Sequence, residues 1–276
     1  MKKLTALFST LTAICLLLGS ACGGGGTNSS PSVSSPDALS ACGNLYVKTL
    51  LDESAYTLNA QTVKQSITLP CHVSLFQSVP PERHGVYSNI FIPSPRPIDG
   101  LCERLHANGK RCGFFYSWGE LRDLTHPDSL VYTEFIKYTE ANVDDRLAES
   151  AIKHIREENL DFAFVYQHGS DFFGHANGWM SKTYLQAVSD AFDNVEKLIT
   201  EFGEEYTVIV LADHGGHERT HGTELSEDMT IPVIIHGERL KAGKISREVS
   251  ILDITPTITE LMDIKAAEEW EGKSLL

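Results

Sequence analysis

The sequence predicts an α/β fold, a three-layer sandwich with a central, mainly parallel sheet. Three observations carry that expectation. Short apolar runs, "LDFAFVYQ", "EYTVIVLA" and "TIPVIIHG", alternate with longer amphipathic segments, the order of a helix-covered sheet. The runs are apolar almost without interruption, as strands buried on both faces are. Clusters of Asp and His directly follow two of them, at the strand ends where such sheets bind ligands.

The elements follow in chain order. Met1, Lys2 and Lys3 form a positive region, "LTALFSTLTAICLLLG" an apolar one, and "GSAC" brings small residues to Cys22. Residues 1–22 read as a lipoprotein-type signal peptide with lipid attached at Cys22. Residues 23–35, "GGGGTNSSPSVSS", read as a flexible tether, and 36–276 as one domain. In that domain "PIDGLCERLHANGK" predicts a helix and "RCGFFYSW" a strand. "NVDDRLAESAIKHIREEN" has helical spacing at Val143, Leu147, Ala151, Ile152 and Ile155. "SKTYLQAVSDAFDNVEKLITEF" predicts a long amphipathic helix with Ser181 as N-cap, and "ILDITPTITELMDI" a closing helix.

Composition sets bounds. With 276 residues and 42% hydrophobic content the chain can build a sizeable core. A net charge of -14 argues against a general nucleic-acid binder. Beyond Cys15 and Cys22 the cysteines are Cys42, Cys71, Cys102 and Cys112. None forms a CxxC pair, so a thiolate zinc site is not expected, and their pairing is left open.

The chemistry concentrates in two stretches. "DFFGH" spaces Asp171 and His175 four apart. "DHGGHERTHG" packs Asp213, His214, His217 and His221 into nine positions. Carboxylate oxygens mixed with imidazole nitrogens suit Zn(II) or Mn(II) better than the all-oxygen preference of Ca(II). A lone loop histidine would be an ordinary solvated side chain. Two Asp/His clusters, each after its own buried strand, predict metal binding.

With these motifs the chain resembles the alkaline phosphatase superfamily, in its type I phosphodiesterase/nucleotide pyrophosphatase branch. The resemblance rests on "TLPCHVSLFQSVPPERHGV", "SDFFGHANGWMS", "ADHGGHERTHGTELSEDMTIPVIIHG", "DITPTITELM" and the closing "WEGKSLL". It implies a hydrolase of small phosphate esters with two metal ions, expected to be Zn2+ or alternatively Mn2+, and a covalent phospho-Thr intermediate. One ion would be held by Asp171, His175 and His221, with His217 the competitor for the third place. The other would be held by Asp213, His214 and the nucleophile, Thr68, ahead of Ser66 and Ser74. His72 and His84 fall in similar positions with structural roles expected, and His168, near Asp171, is expected to back a ligand or to be solvated.

The sequence departs from that pattern at its start. The superfamily begins with an apolar strand ending in Asp-Gly, whose Asp is a ligand of the nucleophile-side metal. Between Cys22 and Pro36 no apolar run exists, so the first strand is expected to be missing and its Asp with it. Asp37 matches a later position, and Asp52 and Glu53 are the conceivable stand-ins. The rival readings are an inactive, lipid-anchored relative that binds one metal or a phosphorylated ligand, and a phosphonate hydrolase. A sulfatase is disfavoured, because "TLPCH" lacks the C/S-x-P-x-R frame. The expected location is the bacterial cell envelope, through the anchor at Cys22.

Overall fold

The computed structural model describes residues 12–18, as backbone, and residues 35–276. Eight strands form one sheet. They are β1 (Thr12–Leu18), β2 (Ala55–Gln61), β3 (Cys112–Tyr116), β4 (Tyr132–Phe135), β5 (Phe162–Gln167), β6 (Tyr206–Ala212), β7 (Thr230–His236) and β8 (Gly243–Lys244). Their order is β4-β3-β5-β1-β6-β7-β2-β8. The β4, β3, β5, β1 and β6 block is parallel throughout, whereas β7 runs antiparallel to both β6 and β2.

The helices are α1 (Ser35–Ala41), α2 (Leu45–Glu53), α3 (Thr68–Gln77), α4 (Pro81–His84), α5 (Leu101–Ala107), α6 (Val143–Glu157), α7 (Gly169–Asn177), α8 (Lys182–Phe202), α9 (Ser226–Met229) and α10 (Ile254–Leu261). They cover both faces because strand side chains alternate between them. Phe162, Phe164 and Tyr166 of β5 and Ile209 and Leu211 of β6 pack into one core with α3, α5 and α10. Ala163, Val165, Val208 and Val210 pack into the other, with α6 and α8. β5 and β6 are therefore buried on both faces, as their nearly continuous apolar runs predicted. Ser181 caps α8 by accepting from the Tyr184 amide.

One expectation is corrected. The first strand is not missing: Thr12–Leu18, within the stretch read as a leader, lies between β5 and β6 and pairs parallel with both. The physical reason is that an apolar run of this length suits a signal core and a doubly buried parallel strand equally. Cys22 and the tether residues 23–34 lie outside the described residues. Among the described residues, no helix is long and apolar enough to cross a membrane. Cys42, Cys71, Cys102 and Cys112 are free thiols.

Candidate metal centre

The site is built at the carboxyl ends of β5 and β6, with α3 facing them. After Gln167 the chain turns into α7, where the four-residue spacing sets Asp171 and His175 one turn apart on one face. Asp171 Oδ1 lies 3.2 Å from His175 Nε2 and 4.0 Å from His221 Nε2. One ligand atom from each of Asp171, His175 and His221 falls within 4.8 Å of the others, a grouping that could hold a metal ion.

The second half follows β6. Asp213 and His214 are buried, and their side chains approach to 3.5 Å. Thr68, also buried, opens α3 and brings Oγ1 to 3.4 Å from His214 Nε2. Thr62 fixes this strand end by donating its hydroxyl to the Asp213 carbonyl at 2.6 Å.

The imidazoles are aimed by their other nitrogens. His175 Nδ1 donates to the Arg219 carbonyl, His214 Nδ1 to that of Gly215 and His221 Nδ1 to that of Ser66, at 2.9, 2.6 and 2.8 Å. A backbone acceptor at Nδ1 fixes the tautomer and leaves the Nε2 lone pair for a metal. The buried Nε2 atoms of His175 and His221 and both carboxylate oxygens of Asp213 have no hydrogen-bond partner. Buried polar atoms left this way are costly, and a divalent cation would satisfy them.

Electrostatics point the same way. Burial, then repulsion from Asp171, pushes the Asp213 carboxyl well above its ordinary range. Burial holds His221 below the ordinary histidine value, and burial with the neighbouring His221 holds His214 well below it. Burial works against a charged His175, yet the Asp171 carboxylate beside it raises it above the ordinary histidine value. Together with the neutral His214 and His221 and the two carboxyl groups it forms a donor set for a dication.

The remaining candidates are placed as follows. His217 is not in the cluster; its Nδ1 donates to Asp228 Oδ1 at 2.7 Å. Ser66 donates its hydroxyl to the Thr223 carbonyl. Ser74 meets His84 Nε2 at 2.9 Å, while His84 Nδ1 accepts from the Val86 amide. His84 is therefore a donor to Ser74 and cannot act as its base. His72 donates from Nδ1 to the Thr68 carbonyl at 2.7 Å, and His168 lies 3.4 Å from the Tyr166 hydroxyl. Asp52 pairs with Lys48 on an exposed face, and Glu53 is also exposed. Trp179 packs over Gly174 and Gly216, where a Cβ would collide with its ring.

Asn89 was not legible beforehand. Its Oδ1 accepts from the Leu69 amide at 3.0 Å, beside Thr68, and its Nδ2 is buried without an acceptor. A single Asn in a loop carries no spacing signal, so only the fold reveals this donor.

A model of the metalloenzyme superfamily matches residues 122–266, just over half the chain. The chain belongs to the metalloenzyme superfamily. This is the alkaline phosphatase superfamily that the motifs pointed to, and divalent metal binding goes with it. The metalloenzyme chain is 36% identical over 107 residues to a phosphopentomutase of Clostridium kluyveri, covering 38% of this chain and 25% of that protein. It is 35% identical over 136 residues to a 2,3-bisphosphoglycerate-independent phosphoglycerate mutase of Flavobacterium psychrophilum, covering 47% and 26%. The chain thus spans about a quarter of the length of these two curated relatives.

Two solved structures share the fold of this metalloenzyme. Murine ectonucleotide pyrophosphatase/phosphodiesterase 5 superposes with a TM-score of 0.76 at 12% identity, covering 95% of this chain and 97% of that one. A putative sulfatase from Bacteroides thetaiotaomicron superposes with a TM-score of 0.71 at 16% identity, covering 96% and 74%.

Proposed function

We propose that this metalloenzyme hydrolyses a small phosphoric ester, a diester in preference to a monoester, with Thr68 as nucleophile. The observation that carries the reading is the buried Thr68 Oγ1, 3.4 Å from His214 Nε2, beside the Asp171, His175 and His221 cluster. Asp171, His175 and His221 would hold one Zn2+; Asp213, His214 and Thr68 would hold a second, with Mn2+ the alternative. When bound, such ions lower the pKa of a coordinated hydroxyl and neutralise phosphoryl charge.

The chain's own residues do the rest. Thr68 opens α3, and its Oγ forms the new P–O bond as the ester P–O bond breaks and the leaving oxygen keeps the electron pair. Asn89 Nδ2 donates to a phosphoryl oxygen, which suits a reaction that needs chiefly positioning and charge neutralisation. Water then cleaves the phospho-Thr. An inactive threonine-to-alanine form of the murine structural relative was solved in complex with AMP, which supports looking for a phosphorylated small molecule here.

The mutase relatives support a second reading, in which a hydroxyl of the same or another sugar takes the phosphoryl group instead of water. As the alternative to a chain that keeps β1, we also propose attachment at the cell envelope through lipid on Cys22, which would remove residues 1–21. The test of the main reading is turnover of bis-p-nitrophenyl phosphate with zinc added back to the stripped protein. Thr68→Ala should abolish it, and trapping should find phosphate on Thr68 only in the parent chain. Full turnover in Thr68→Ala would reject the mechanism.

A further inference from the structure

Asp171 and His175 face the metal centre from one side of α7. Phe172 and Phe173 lie further round the same helix and line a second cavity, between α6, α7 and α8, of about 360 Å³. That volume is in the range of small-molecule sites. Two more rings complete an aromatic wall. Tyr138 and the buried His168 have centroids 4.9 Å apart, His168 and Phe172 6.3 Å, and Phe172 and Phe173 meet edge to face at 5.2 Å. Phe172 is 47% exposed and Phe173 36%, so the wall presents ring surface to whatever enters.

Carboxylates supply most of the polar lining. Glu140, Asp144, Asp145 and Asp190 border the cavity, and among the described residues no lysine or arginine lines it. From outside, Arg146 reaches Glu140 at 2.8 Å and Lys197 approaches Asp145 at 3.9 Å. Asp144 and Asp190 meet neutral donors instead. Asp144 accepts from the His168 and Gly169 amides at 2.9 and 2.8 Å, and Asp190 from the Gln186 side chain at 2.8 Å. Partial burial, with Asp145 and Asp190 adding to it, pushes the Asp144 carboxyl up to about 6 against the pull of those two amides. The cavity is short of positive charge.

The kind of cation follows from the spacing. A metal ion needs several ligand atoms converging on one point. Among the described residues the one such grouping is Asp171, His175 and His221, so the carboxylates of this cavity stand too far apart to chelate. Spread negative charge, ring faces and room for several heavy atoms fit an organic ammonium, which is drawn by the ring quadrupoles and the carboxylate field together. We propose that the cavity bounded by Tyr138, His168, Phe172, Phe173, Asp144 and Asp190 binds a small organic cation, a primary or quaternary ammonium. The site goes beyond the hydrolase reading and does not depend on it. Two sources share this chemistry, an ammonium group on the substrate itself and a free amine.

The probe is tetramethylammonium, with tert-butanol as the neutral compound of similar shape. Each is titrated against the full chain at constant ionic strength, and binding is read by saturation-transfer NMR of the methyl protons. The parent chain should bind tetramethylammonium saturably and tert-butanol not at all. Asp190→Asn and Phe172→Leu, both at exposed positions, should each weaken binding about 10-fold, the scale of one lost cation contact. No saturable signal in the parent chain, equal signals from the two compounds, or unchanged affinity in either variant would overturn the inference. With bis-p-nitrophenyl phosphate and the zinc-loaded chain, added tetramethylammonium should raise KM where the cation is part of the substrate and leave KM unchanged where it is a free amine. Binding is read without turnover, so a chain that binds the probe and hydrolyses nothing would keep this site while overturning the hydrolase reading.

Discussion

His214 and His221 lie face to face, their ring centroids 3.8 Å apart at 26°. One belongs to each half of the site, so the two proposed ion positions share a wall. Stacked imidazoles this close cannot both carry charge at modest cost, and both are held below the ordinary histidine value. The ring pair is thus ready to bind cations at neutral pH without releasing protons from nitrogen.

The first expectation concerns the Asp171, His175 and His221 site. His175→Ala should remove most of the zinc bound there, because three-ligand sites tolerate loss poorly. Elemental analysis of purified protein reads this directly, and an unchanged zinc stoichiometry would refute the assignment. Chelation of the parent chain should lower Tm, since a ligand bound only by the folded state stabilises it.

A second expectation concerns the other ion. β1 ends at Leu18, level with Ala212, the residue before Asp213. The chain continues from Leu18 as Gly19-Ser20, with no carboxylate. Unit charges ~4 Å apart interact by ~4 kcal/mol at an effective dielectric of 20, so a site short of one Asp should be weaker by several kcal/mol. Zinc titration should therefore give one tight equivalent and low turnover. Gly19→Asp should tighten the second equivalent and raise turnover. Two tight equivalents in the parent chain would mean that another residue fills the place.

Stability should fall on mild acidification. Burial lowers His84, and likewise His72, to about 4. For such groups the neutral form is native, so their stabilising contribution is complete above about 6.5 and is lost as pH falls through 6.5 towards 4. A shift of this size corresponds to about 3 kcal/mol per histidine. Urea unfolding at pH 7 and pH 4.5 measures the loss, and His84→Gln should make the pH dependence shallower by about one proton. An identical slope in that variant would show that His84 takes no part.

The N-terminus offers an exclusive choice. If lipid is attached at Cys22, residues before it are removed and Thr12–Leu18 cannot pair with β5 and β6. Acyl labelling of the parent chain and of Cys22→Ser, with N-terminal sequencing of the mature protein, decides it. Label on the parent alone, with Cys22 as first residue, supports the anchor. A label-free chain that keeps residues 12–18 supports the strand.

What the sequence made legible followed the strength of its periodicity. β3, β5, β6 and β7 announced themselves as apolar runs, and α6 and α8 as amphipathic stripes. β2 and β4 did not, because their burial alternates weakly and "AYTLNAQ" and "YTEF" contain no apolar run. α7 hid in a glycine-containing stretch, though its DxxxH spacing already implied one helical turn. The choice between His221 and His217 could not come from spacing. It depends on the reversal at 217–220, closed by His217 and Thr220 through both backbone amides, which turns one ring to Ser66 and Asp171 and the other to Asp228. Asn89 is defined by one hydrogen bond to Leu69, a contact across 20 positions that no local pattern encodes.

The pairing of β1 has a consequence in time. Thr12–Leu18 is among the first segments made, but its neighbours in the sheet are residues 162–167 and 206–212. At typical synthesis rates of 5–20 residues per second, roughly 10–40 s pass before both neighbours exist. Through that interval the most apolar segment of the chain has nowhere to dock, and any cellular factor that reads nascent apolar segments meets it before the sheet can. The fate of this one strand is then a race between capture and closure, and slowing or speeding synthesis of the chain should change which wins.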